Sequence, residues 1–257
     1  MRRSNAKTVH AHSPGLAKRE SALTLSRMVH FTLFGIPVYI RPSFWVVLAI
    51  FGGALSISSV EDLIYPALFV IAGFVAILSH EMGHALVGRK LGGGQQTIVL
   101  ELFGGLTSSH GMQLTRGGRA LMILAGPMMT LLLGIISLWL TWNIVAPVMT
   151  SYNLNFWDLA ISPFTAALIS PKLYILSCLI MIGEWWTILN LLPIYPLDGG
   201  QLIAQYIRSP RKVFMTGFIT AILIGLLSFQ LFHGYFIPIF MALFAYSNYR
   251  EYKNAPF

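Results

Sequence analysis

The sequence predicts an all-α integral membrane protein of about six transmembrane helices, with a membrane-dipping β-hairpin after the second. Three observations lead there. Of 257 residues, 56% are hydrophobic and only 10% charged, too few charges to solvate a globular surface of this size. The apolar residues gather into stretches long enough to cross a bilayer. The basic residues sit between those stretches, in Arg89/Lys90, Arg116/Arg119, Arg208/Arg211/Lys212 and Arg250/Lys253. A net charge of +8 could suit a nucleic-acid binder, but this distribution is the positive-inside pattern instead.

Taken in order, residues 1–27 are polar, basic and without periodicity, and read as a cytoplasmic tail with no apolar core of a cleavable signal peptide. Residues 28–42 form an extended or interfacial lead-in, because Pro37 and Pro42 block a long helix. Spans are expected at about 43–60, 64–90, 119–142, 173–195, 213–232 and 235–249. Span one is short and carries the Gly52–Gly53 pair. With both termini cytoplasmic, nearly every Lys and Arg falls on one side, and Glu61 and Asp62 on the other. The domain thus covers 28–249, followed by a short cytoplasmic tail at 250–257. The single cysteine, Cys178, rules out an internal disulfide framework.

Two stretches do not read as plain spans. Residues 97–110 are rich in β-formers around Gly104–Gly105 and read as a hairpin entering from the cytoplasmic side. A free edge on its 98–103 strand would accept a substrate as an added strand. Residues 190–200, NLLPIYPLDGG, carry Pro193, Pro196, Gly199 and Gly200, so a continuous helix is excluded. Irregular backbone at that depth needs a cavity or surrounding protein.

The chemistry resides in HEMGH, residues 80–84, inside the second span. Positions i and i+4 share a helix face, so His80 and His84 can present two imidazoles to one metal, with Glu81 beside it as a proton acceptor. Polar residues at this depth are costly and need a partner, which a cation supplies. A catalytic zinc takes a third protein ligand and keeps one open position. Asp198, Glu184, Glu101 and His110 are the candidates. Asp198 is best placed, in the broken segment, and its carboxylate offsets the cation's charge. Glu184 is expected nearer the outer half as a buried carboxylate bonded to a neighbouring helix. Glu101 and His110 flank the hairpin as local polar support.

HEMGH in an apolar helix, FGG at 103–105, AGP at 125–127 and NLLPIYPLDGG at 190–200 resemble the site-2 protease family of intramembrane zinc metalloproteases, and GIPVYIRPSF at 35–44 resembles the lead-in of its bacterial members. The resemblance implies Zn²⁺ held by His80, His84 and Asp198, Glu81 as catalytic base, and substrate contacts from Asn190 and from Phe103, Gly104 and Gly105. It implies cleavage in or near the membrane segment of a membrane-anchored regulator, at a site toward the cytoplasm, with regulatory membrane partners. The chain departs from better-known members in having Thr130 where an Asn often follows AGP, and no room for a PDZ or CBS domain, which places it nearest the six-span sporulation-type layout. The rival reading is a metal transporter or metal-binding membrane protein, which needs buried His and Asp but no Glu beside the first His.

Overall fold

The computed structural model describes residues 28–256 apart from 103, 153 and 154. The basic segment 1–27 and Phe103 lie outside the described residues. The described chain is mostly helical, with one small sheet.

The lead-in is more ordered than the sequence suggested. Strands β1 (Val29–Leu33) and β2 (Ile36–Ile40) form an antiparallel hairpin. Its two-residue turn places Phe34 at φ 51° and Gly35 at φ 74°, the positive-φ pair that matches strand twist. The expected hairpin is present as β3 (Gln95–Glu101) and β4 (Gly104–His110), paired antiparallel. It is half of a larger object, because β2 pairs in parallel with β3, Val38 opposite Ile98 and Ile40 opposite Leu100, giving the order β1-β2-β3-β4. This overturns the expectation of a free edge on the 98–103 strand: β3 is paired on both sides, and the open edge is that of β4.

A parallel pair needs a long crossover. Here it consists of α1 (Pro42–Phe51) and α2 (Ile64–Gly92). The alternation of β2 points Ile36, Val38 and Ile40 inward, where Ile98 and Leu100 join them against Phe44 and Leu48 of α1 and Ile77, Met82 and Ala85 of α2. The sheet is thereby fixed to the helix that carries HEMGH.

Beyond the sheet run α3 (Arg116–Tyr152), the short α4 (Phe156–Ile161) and α5 (Pro163–Ala167), α6 (Pro171–Asn190), the short α7 (Asp198–Ala204), and the pair α8 (Pro210–Phe232) and α9 (Phe236–Asn254). Among the described residues, four helices are long and apolar enough to cross a membrane: Glu61–Gly92, Arg116–Ala146, Pro171–Asn190 and Pro210–Leu231. They fall on expected spans two to five. Expected span one is helical only over the ten residues of α1, about 15 Å at 1.5 Å per residue, and the chain then turns at Gly52 and Gly53, the latter at φ 87°. Expected span six corresponds to α9, whose last turns carry Arg250, Glu251 and Lys253. Span four stops at Asn190 rather than 195, and the Pro-rich segment turns back into α7.

Candidate active site

His80, Glu81 and His84 lie on α2 at its crossing with α3. The crossing is close because small residues face each other there. A β-carbon on Gly83 would collide with the Ala125 carbonyl, and one on Gly126 would collide with His84 Nε2. The AGP motif is therefore the surface against which HEMGH is seated. On the other side, a β-carbon on Gly105 would strike Glu81 Cγ, so the hairpin glycine makes room for the carboxylate.

Asp198 opens α7. Gly199 and Gly200 let this turn pack on the end of α6, since β-carbons there would collide with the Leu191 carbonyl and Ile194. Asn248 of α9, 1% exposed, holds the preceding segment. Its amide donates to the carbonyls of Tyr195 (2.7 Å) and Phe244 (2.9 Å).

These supports bring three donor atoms together. His80 Nε2 and His84 Nε2 are 3.1 Å apart, and Asp198 Oδ2 lies 3.0 Å and 3.3 Å from them. All three residues are nearly inaccessible, at 2%, 8% and 6% exposure. Among the described residues this is the one cluster of His, Cys, Asp or Glu able to hold a metal ion. Tetrahedral zinc with bonds of about 2.0–2.2 Å separates its ligand atoms by about 3.3 Å, so the observed edges suit that ion.

The hydrogen-bond inventory gives an independent reason. His84 Nδ1 donates to the Met122 carbonyl at 2.8 Å, which leaves a lone pair on Nε2. His80 Nδ1 faces Thr130 Oγ1 at 3.5 Å, and Thr130 is itself held by the Pro127 carbonyl (3.0 Å) and Thr187 Oγ1 (3.0 Å). With both imidazoles oriented outward through Nδ1, lone pairs face one another at the centre. Asp198 Oδ2 is buried there without an aligned donor despite its short distances. Buried acceptors converging on one point require a cation.

Glu81, 5% exposed, accepts from Thr107 Oγ1 at 2.8 Å through Oε2. It opens on the same cavity as the three donors, about 580 Å³ in volume, walled by β4, α6 and α9. Asn190 lines this cavity and donates one amide hydrogen to the Trp186 carbonyl at 2.9 Å. Gly104 and Gly105 line it too, Gly104 against the Trp186 ring. The remaining candidates stay apart. Glu101 lines the cavity away from the three donors, in an ion pair with Arg41 (3.0 Å). His110 ends β4, opposite Gln95. Glu184 is exposed on α6, so the expectation of a buried, bonded carboxylate is wrong. Sequence reasoning missed Thr107, Thr187, Gly126, Asn248 and the Met122 carbonyl. Only the AGP motif hinted at any of them.

Comparison with known proteins points the same way. The model of peptidase family M50 matches residues 68–232. A zinc metalloprotease of Methanocaldococcus jannaschii is 29% identical over 227 residues, covering 84% of this chain. A relative from Synechocystis that carries a zinc-metalloprotease name is 28% identical over 188 residues, 68% of this chain. The chain spans about half the length of these curated relatives, 57% and 43%. Among solved structures, the site-2 protease from Methanocaldococcus jannaschii shares the fold with a TM-score of 0.56 at 24% identity, covering 88% of this chain and 95% of that one. The apolar helices and this kinship make the protein a multi-pass membrane protein. With well over half of its length matched, a stretch that includes HEMGH and Asp198, the chain belongs to peptidase family M50.

Proposed function

We propose that this protein is an intramembrane zinc endopeptidase that cleaves a membrane-anchored regulatory protein in or near its transmembrane segment. The observation that carries the reading is the convergence of His80, His84 and Asp198 on one buried point, with the Glu81 carboxylate on the same cavity wall. A transporter would need the first three and has no use for the fourth.

In this reading His80, His84 and Asp198 hold Zn²⁺, which supplies Lewis acidity to the scissile carbonyl and to the attacking water. Glu81 removes the proton from that water and returns it to the leaving amine. The Thr107 hydroxyl fixes one oxygen of Glu81 and leaves the other free for the proton. Asn190 keeps its second amide hydrogen for the substrate or the developing oxyanion. The substrate must be extended at the site, since a helix hides its amides. The open edge of β4, whose residues 104–107 line the cavity, would take it as an added strand, with Gly104 and Gly105 along its path. Proline at 106, 108 or 109, positions that do not touch Glu81, should then reduce cleavage while zinc stays bound.

The domain of 28–249 would cross the bilayer about six times: α9 would join the four apolar helices, and α1, too short to span alone, would complete a crossing that starts from the sheet inside the membrane. Both termini and the cavity mouth would face the cytoplasm, and the sheet would dip into the membrane from that side. The test is incubation of purified protein with a library of single-span substrates, wild type against Glu81→Gln, with metal analysis of both. The reading expects zinc in both and cleavage only in wild type. Equal behaviour of the two would favour a transporter.

A further inference from the structure

Glu184 lies on a membrane-crossing helix and serves no role in the site. Among the described residues it has no hydrogen-bond or ion-pair partner, and its side chain is exposed. Its neighbours on that face are large and apolar: Trp185 and Ile188 at 55% exposure and Leu191 at 42%. An ionisable group on the outer surface of a bilayer-spanning helix is costly and marks a site that meets something polar.

The depth of Glu184 follows from the contacts of the next turn. Thr187 Oγ1 is 3.0 Å from Thr130 Oγ1, which faces His80, so Thr187 is level with the metal-binding cluster. His80 is nine residues from Arg89, the first basic residue at that end of α2, about 13 Å along the axis, and Glu184 lies close to one turn further in. That is near the middle of a hydrocarbon core about 30 Å thick. Rotation cannot hide it. Gly183 packs against the Thr130 carbonyl, 2.9 Å from where a β-carbon would stand, and near Gly134, which fixes the azimuth of α6. At 100° per residue, the cavity-lining Trp186, Leu189 and Asn190 fall roughly 140–240° around the helix from Glu184. A substrate seated in the cavity therefore does not meet it.

We infer that the outward face of α6, centred on Glu184, receives a membrane-spanning helix of another protein that carries Lys or Arg at mid-bilayer depth, distinct from the substrate. Charge complementarity selects this occupant. Among the described residues a second copy offers no such cation, because every Lys and Arg there lies outside the helices or within four residues of a helix end. The surrounding Trp185, Ile188 and Leu191 supply an apolar flank for the stem of such a side chain. The inference rests on α6 crossing the bilayer and is independent of the peptidase chemistry.

The test uses the full-length protein, labelled at its C-terminus and reconstituted in phosphatidylcholine vesicles. Energy transfer is measured to labelled Leu/Ala single-span peptides carrying a central Lys, a central Leu, or a Lys near one end. The central-Lys peptide should associate about 10-fold more tightly than the other two. Glu184→Gln should abolish that preference, and Glu184→Lys should transfer it to a peptide with a central Glu. Zinc content and cleavage should be unchanged in both variants, which reports their folding. A central-Lys preference that is absent in wild type or survives in Glu184→Gln overturns the inference. So does a variant that alters only self-association of the protein, since the occupant would then be a second copy. Loss of zinc from wild type would instead count against the peptidase reading and leave the association result intact.

Discussion

The two halves of the site are built differently. His80, Glu81 and His84 sit in a block whose helices α2, α3 and α6 meet at glycines, with the sheet fixed to the same block. Gly83, Gly126 and Gly105 leave no space for a single added carbon. Asp198 belongs to the other region, α7 with the α8–α9 pair. There the chain has broken at Pro193 and Pro196, and the segment is held by discrete bonds, above all Asn248 to the Tyr195 carbonyl. The base and two ligands are thus set by packing between long helices, whereas the third ligand is set by a broken segment that Gly199 and Gly200 seat on the end of α6 and that Asn248 holds by hydrogen bonds. Geometry should fail abruptly where a glycine is replaced, and by degrees where one of the hydrogen bonds that hold the broken segment is removed.

The largest effects are expected from a single methyl group on each side of HEMGH. Gly126→Ala drives a carbon into His84 Nε2 and should remove zinc along with cleavage. Gly105→Ala drives one into Glu81 and should reduce cleavage about 10²–10⁴-fold, the usual worth of a positioned proton acceptor, while zinc stays bound. Metal analysis beside a cleavage assay separates the two. On the docking side, Asn248→Leu removes the support of the Tyr195 carbonyl. It should weaken zinc affinity about 10-fold, the order of one buried carbonyl left without its partner, measured by competition with a chromophoric chelator. The smallest effect is expected for Thr107→Val, which takes one hydrogen bond from Glu81. About 1 kcal/mol corresponds to a roughly 5-fold slower cleavage with unchanged zinc binding.

Much of the first region was legible in the sequence because its signals are local. The i, i+4 spacing of His80 and His84 needs only a helix, and apolar runs of 20 residues or more announce themselves. Asp198 was legible for a different reason: prolines and glycines at membrane depth mark a break that must face something polar. The parallel pairing of β2 with β3 was not legible, because it joins residues some sixty apart and no local pattern encodes it. The turn at Phe34–Gly35 hid the first hairpin, since Phe is an unusual residue at positive φ. Glu184 was misread because its depth was considered and its azimuth was not; the rotation of α6 is set by Gly183 against α3, a tertiary contact. The Met122 carbonyl was invisible for a simpler reason. Any residue carries one, and only the fold decides which of them faces a histidine.

Both halves must meet around one zinc ion. The direct measurement is zinc content and X-ray absorption of the purified protein, wild type beside Asp198→Ala. Wild type should hold one zinc per chain, with two imidazole nitrogens and a carboxylate oxygen in its shell, and Asp198→Ala should lose it or bind it much more weakly. Zinc bound with the same affinity and the same shell in both proteins would contradict it.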